Sequence, residues 1–254
     1  MYVACSTMCF SRLPLEQALR MINELEFSKV DIAIHEQGPH LKPSEVASDV
    51  SLAAQRIRVG PKLTPAAFSV DLEAENDDAA ERQLKAVCKL GRMTAVSVLT
   101  IAASPTGVGI DSEVKRLGKL TRLVTNEGLS LAVLTKTGTV TETPGAAIEL
   151  CNRVPGLGLT LDPSHYIHGP HQGANFDEVI PYVKHVHLRD TRRGPGKFQV
   201  RIGQGEVEYG RIISLLERAR YDRLLTVAIY DLPDGPFVME SEVRKLKFLL
   251  ESLV

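Results

Sequence analysis

Five of the seven histidines, His165, His168, His171, His185 and His187, fall between positions 165 and 187. Imidazole exchanges protons near neutral pH and ligates divalent metals, so this crowding marks a region equipped for acid–base or metal chemistry. The cluster spans two strand-like segments. In LGLTLD, the alternation of a strand puts Gly158, Thr160 and Asp162 on one face and three leucines on the other. In VKHVHLRD, the same rule groups His185, His187 and Arg189 against Val186 and Leu188. A buried carboxylate at the end of an apolar strand must be paired, hydrogen-bonded or metal-bound. Asp162 and His187 therefore read either as ligands for Mn²⁺, Zn²⁺, Co²⁺ or Fe²⁺ or as a hydrogen-bonded pair without an ion. His165 follows Asp162 in the loop LDPSHY, within reach of a bound substrate. His168 and His171 flank a Gly-Pro step in a loop expected to line the same mouth. His185 lies deeper and reads as an interior polar residue. A second inward set, Asp31, Ala33 and His35, comes from VDIAI and the residue after it. His35, nearer the strand end, is a substrate-holding candidate, whereas Asp31 sits at a depth that suits a structural hydrogen bond.

These residues need a scaffold that points strand ends at one place, and the chain supplies eight strand-then-helix alternations. The predicted strands are YVACS (2–6), VDIAI (30–34), RIRVGPKL (56–63), TAVSVLTIA (94–102), LSLAVL (129–134), LGLTLD (157–162), VKHVHLRD (183–190) and LLTVAIYD (224–231). The predicted helices run over 14–25, 43–55, 77–90, 111–126, 144–151, 175–180 and 210–219, with a last one ending in KLKFLLESLV. In the first, Pro14 suits an opening turn and Leu15, Leu19 and Ile22 form one apolar stripe. No all-polar linker interrupts the series, so we read one domain over 1–254: an α/β fold, a single closed (β/α)₈ TIM barrel with its active site at the carboxyl-terminal mouth of the strands. An open doubly wound sheet is the competing topology. It lacks support from a nucleotide fingerprint, because GVGI at 107–110 has neither the G-x-G-x-x-G nor the phosphate-loop spacing.

Composition narrows the partners. The chain has 254 residues, is 44% hydrophobic and 24% charged, and carries a formal net charge of -1, so no overall positive field attracts nucleic acid. No run approaches the roughly 20 apolar residues that span a bilayer, and the first residues lack the pattern of an export signal. Cys5, Cys9, Cys88 and Cys151 show no paired spacing and read as reduced thiols of a cytoplasmic protein. The segment RRGPGK (192–197) reads as an exposed basic turn. With Arg189 it makes a basic patch near the mouth, able to meet an anion or to stay solvated.

The segments YVACSTMCF, VPGLGLTLDPSH, VKHVHLRD and GQGEVEYGRII resemble those of xylose-isomerase-like TIM barrels, specifically the sugar phosphate isomerase/epimerase group. The resemblance covers nearly the whole chain. It implies a metal held by glutamate, aspartate, histidine and glutamate at the ends of strands five to eight, with Asp162 and His187 at the middle two places. It also puts His165 and Arg193 at places resembling substrate contacts, and it implies homo-oligomerisation. The two glutamates do not carry over: Leu134 stands at the strand-five place and Ala228 at the strand-eight place.

The resulting expectation is a sugar or sugar-phosphate isomerase or epimerase, metal-assisted or not, with a small carbohydrate-like substrate. In it His165 and His187 transfer protons, Asp162 orients them, Arg193 stabilises oxygen charge, and His35, His168 and Arg193 hold substrate. The missing glutamates make a sugar-binding barrel without catalysis the main alternative. A metal-dependent phosphodiester hydrolase is the minor one, disfavoured by the lack of a larger carboxylate and histidine array.

Overall fold

Small residues at the start of the chain let strands meet at a common axis. In β1 (Tyr2–Ser6), Ala4 faces the axis, while Val3 and Cys5 pack into the layer shared with the helices. The computed structural model describes residues 1–58, 63–74, 76–171, 173–232, 235 and 237–254. After a 3₁₀ turn over Thr7–Phe10, α1 (Leu15–Glu24) buries Leu15, Leu19 and Ile22, the stripe read from the sequence. Burying each such side chain contributes roughly 1.5–3 kcal/mol. Then follow β2 (Lys29–His35), α2 (Pro43–Ser48), α3 (Val50–Ile57), β3 (Thr64–Asp71), α4 (Asp77–Met93), β4 (Val98–Ala102) and α5 (Ile110–Asn126). The remainder comprises β5 (Ser130–Leu134), α6 (Pro144–Arg153), β6 (Gly158–Leu161), α7 (Pro163–His168), a 3₁₀ segment at Asp177–Tyr182, β7 (Val183–Leu188), α8 (Tyr209–Arg218), β8 (Leu224–Val227) and α9 (Met239–Glu251).

All neighbouring strands pair in parallel, and β8 returns to β1 through Ala4↔Thr226, so the sheet is the closed eight-stranded barrel expected from the sequence. At its amino-terminal end Ala4, Ala67, Val98, Ala132 and Leu224 form an apolar plug. Four of the five are alanine or valine, small enough to share the crowded axis.

Three elements depart from the expectation. The third strand is not 56–63. Arg56 and Ile57 end α3, where Ile57 extends the buried face of Ala53 and Ala54, and β3 begins at Thr64; residues 59–62 of that segment lie outside the described residues. Alternating basic and apolar residues imitate a strand there, but Ile57 also falls at helical spacing from the two alanines. The helix expected over 43–55 is split at Asp49, whose extended backbone ends α2 and whose side chain accepts from the Leu52 amide at 2.9 Å to start α3. The loop after Asp162 contains a helical turn, α7, which opens Asp-Pro.

The 189–208 segment following β7 is tied down by Asp190. Its carboxylate accepts from the amides of Gly203 (2.8 Å), Gly205 (3.0 Å) and Thr191 (3.1 Å). Gly203 has φ +88°, and a Cβ on Gly205 would overlap the Asp190 carboxyl and the Thr191 carbonyl. Gly205→Ala is therefore expected to cost about 1–3 kcal/mol in urea unfolding. Gly210→Ala, in α8 with open space around its Cβ, is expected to gain up to about 1 kcal/mol. Equal stability of the two variants would refute the clamp.

Candidate functional site

Above the apolar plug, every inward polar side chain must find a partner inside the barrel. Thr100 of β4, Thr160 of β6, His185 of β7 and Thr226 of β8 do so as one layer. Thr100 and Thr160 share a hydrogen bond at 2.7 Å, His185 Nδ1 meets Thr100 at 3.1 Å, and His185 Nε2 meets Thr226 at 2.8 Å. Burial drives the His185 pKa down to about 3, so the ring is neutral. Its depth in the strand had marked it as an interior polar residue, and both ring nitrogens are bonded.

The next layer joins β2, β3 and β7. Asp31, fully buried, accepts from Ser69 Oγ at 3.0 Å and bonds His187 Nε2 at 2.8 Å. Burial pushes the Asp31 carboxyl up, but the bonds from His187 and Ser69 and the nearby imidazoles leave it below the ordinary carboxylate value. An ionised carboxylate can only accept, so His187 donates to Asp31 from Nε2, and Nδ1 is its remaining ring nitrogen. The candidate ligand atoms of Asp31, His185 and His187 lie within 4.8 Å of one another, a potential site for a divalent metal.

At the mouth, Asp162 caps α7. Its Oδ1 accepts from the Ser164 amide at 3.1 Å and from the Ser164 hydroxyl, and its Oδ2 holds Arg189 Nη2 at 2.5 Å. Arg189 is 1% exposed, with its guanidinium 3.9 Å from the Tyr230 ring centroid and 5.2 Å from that of Phe198. Burial pushes the Asp162 carboxyl up, but the Arg189 charge together with His165, the Ser164 hydrogen bond and His187 leaves it below the ordinary carboxylate value. His165 packs on Phe198, its Nδ1 accepts from the Thr137 amide at 3.2 Å, and burial lowers its pKa to about 4. Its proton is thus on Nε2, which has no hydrogen-bond partner and lies 3.9 Å from Asp162 Oδ2.

A cavity of about 110 Å³ opens at these strand ends, lined by His35, Ser69, Asp71, Lys136, His187 and Tyr230 together with Leu134 and Ala228. Leu134 and Ala228, which stand where the resemblance implies glutamates, are hydrocarbon in this wall and offer no metal donor. The four-strand ligand set therefore does not fit this chain: two of its places are hydrocarbon, and the Asp162 carboxylate belongs to Arg189.

The sequence reading paired Asp162 with His187. In the fold, Asp162 pairs with Arg189 and His187 with Asp31, two separate units. His35 lines the cavity. His168 instead turns its Nδ1 to the Arg192 carbonyl at 2.9 Å and its ring edge to Phe198. Arg193 is exposed, sits 3.3 Å from Glu206, and lines a different cavity of about 330 Å³ with Tyr166 and Arg211. His171 meets Glu142 on the surface. The residue that sequence reasoning undervalued is Arg189, grouped with a surface basic patch although its parity with His185 and His187 already turned it inward. Among the described residues no helix is long and apolar enough to cross a membrane.

With this geometry in place, the class is defined: the chain belongs to the xylose isomerase-like TIM barrel family, whose model matches residues 16–249. None of the curated proteins matches its sequence. Among solved structures it is similar to a xylose isomerase-like TIM barrel protein from Mycobacterium smegmatis in complex with magnesium (16% identity, TM-score 0.76, 100% of this chain and 98% of that one). It is also similar to D-allulose 3-epimerase from Methylomonas sp. (13%, 0.76, 100% and 98%) and to 3-keto-D-glucoside 4-epimerase from E. coli (12%, 0.73, 99% and 99%). At these identities the likeness is one of fold.

The buried histidines set an acid limit. Between pH of about 6.5 and the lowered folded values of His185 (about 3) and His165 (about 4), the unfolded chain binds protons that the folded chain refuses. Stability is then complete above about pH 6.5 and falls as pH drops toward 4. The melting temperature should decline over that window, and His185→Gln should flatten the decline; an unchanged slope would show that His185 is not its source.

Proposed function

We propose that this barrel catalyses proton transfer at a carbon next to a carbonyl in a small carbohydrate-like substrate, an isomerisation or epimerisation. The observation that carries the reading is the His187–Asp31 hydrogen bond beside the mouth cavity. His187 Nδ1 removes the proton from carbon, and the C–H electron pair moves into an enediolate. The resulting imidazolium is stabilised by Asp31, then returns the proton on the same face to the adjacent carbon, while the hydroxyl proton of that carbon passes to the oxygen of the original carbonyl; in the epimerisation branch water delivers the proton to the opposite face and His187 releases its own to solvent. The neutral Nε2–H of His165 is suited to donate to the substrate oxygen as charge develops there, and His35 to hold a hydroxyl. The cavity volume, about 110 Å³, favours a short-chain substrate.

Two observations support other readings. Leu134 and Ala228 at the glutamate places favour a barrel that binds a sugar without turning it over. The Asp31, His185 and His187 cluster favours a bound metal of the Zn²⁺, Mn²⁺, Co²⁺ or Fe²⁺ class, since it offers one oxygen and two nitrogens. Such an ion would supply Lewis-acid stabilisation of oxygen charge. It would also have to compete with the bonds that His185 makes to Thr100 and Thr226.

The test is deuterium incorporation from D₂O into dihydroxyacetone, erythrulose, fructose and allulose, followed by proton NMR. Wild type should exchange a C–H adjacent to the carbonyl of at least one of these sugars. His187→Ala and Asp31→Asn should slow that exchange by about 100-fold or more. Zn²⁺ should suppress exchange if the free dyad is the working form, whereas stimulation would favour the metal reading. Binding of these sugars without exchange would refute catalysis.

A further inference from the structure

Arg189 has more hydrogen-bonding capacity than its surroundings use. Of the guanidinium nitrogens, Nη2 holds Asp162, while Nε and Nη1 are buried without a hydrogen-bond partner. Buried charged donors are normally satisfied, because leaving them unpaired forfeits their hydration. A third unpartnered donor, His165 Nε2–H, lies at the same place: it approaches the same Asp162 oxygen, and both side chains pack on the ring of Phe198. Tyr230 stacks on the guanidinium, neighbours it through its hydroxyl and lines the mouth cavity, so its ring separates the donor cluster from that cavity. Asp162 satisfies its own needs through Ser164 and Arg189, and its charge keeps the guanidinium oriented.

We infer that Arg189 is a built-in cationic binding group of the mouth, whose free Nε and Nη1, with His165 Nε2–H, take an anionic oxygen of the ligand, a carboxylate or an enediolate. Three buried N–H donors, two of a guanidinium and one of an imidazole, gather there with no acceptor among them. A guanidinium stays charged at any physiological pH and bonds oxyanions strongly. The chain thereby places a fixed positive charge next to Asp162, at a mouth whose wall is apolar at Leu134 and Ala228. For its catalytic meaning the inference rests on the proton-transfer reading above, with Arg189 stabilising the enediolate oxygen. For binding it rests on the geometry alone.

The test is a binding measurement that needs no turnover. Glycolate, a small monoanion with a neighbouring hydroxyl, is titrated calorimetrically into chelator-treated protein, with ethylene glycol as the uncharged counterpart. Glycolate should bind without metal and about tenfold or more tighter than ethylene glycol, and Arg189→Met should lose about tenfold or more of that affinity. Arg189→Lys, which keeps the charge but not the planar donor set, should fall between them. If Arg189→Met does not melt cooperatively, His165→Ala and Arg189→Lys carry the test, each with an expected loss of about threefold or more. No glycolate binding, binding that requires added Mn²⁺, or binding lost in the Arg192→Ala/Arg193→Ala surface double variant but kept in Arg189→Met would each overturn the inference. Retained glycolate binding without deuterium exchange would refute the proton-transfer reading and leave the binding site standing.

Discussion

Closure of eight parallel strands leaves the inward side chains an interior with little room for water. Each polar group sent inward must be matched by another inward group from a different strand, or it forfeits its hydration. The ordering of this barrel follows from that constraint. At the amino-terminal end the problem is avoided with alanines, a valine and a leucine. In the middle it is solved by three threonines around His185, which uses both ring nitrogens. Toward the mouth the groups become charged, and the matching becomes specific: Asp31 to His187, Asp162 to Arg189.

The two carboxylates have different chemistry because they have different partners. Asp31 meets an imidazole, a neutral or cationic group that can donate and accept protons. Asp162 meets a guanidinium, whose charge is permanent. The Asp162–Arg189 unit is costly to break, since removing one member of a buried ion pair leaves the other uncompensated, typically at about 3–5 kcal/mol. One unit is thus suited to moving a proton and the other to holding a charge still, and the two stand at the same end of one barrel. The Asp190 clamp on Gly203 and Gly205 secures the segment that begins with Arg189, which links the loop after β7 to the position of that guanidinium.

The apolar replacements at Leu134 and Ala228 belong to the same pattern. Two acidic side chains at those places would need a strong cation to hold them together in a dry mouth. With hydrocarbon there instead, the charge balance is met inside the chain, by Arg189 against Asp162. The mouth that results is part apolar wall and part polar edge, and Lys136, Asp71 and His35 complete the polar side.

Much of this is legible in the sequence alone. Strand parity in LGLTLD and VKHVHLRD put Thr160, Asp162, His185, His187 and Arg189 inward, and the alternation of elements set a closed barrel whose mouth gathers them. Short-range patterns were misleading where two periods overlap, as at Arg56 and Ile57, or where a helix is only one turn long, as after Asp162. The pairing across the barrel was not legible. Parity says which way a side chain points but not which inward neighbour it meets, because that depends on the stagger between strands and on side-chain reach. His187 could meet Asp162 from the adjacent strand or Asp31 from across the axis, and Arg189 could lie in a solvated patch or fold back over the mouth. Residue pattern and parity were enough for the barrel and the inward set. The partners came from three-dimensional packing, because burial forces each charge onto whichever opposite group lies within hydrogen-bonding distance.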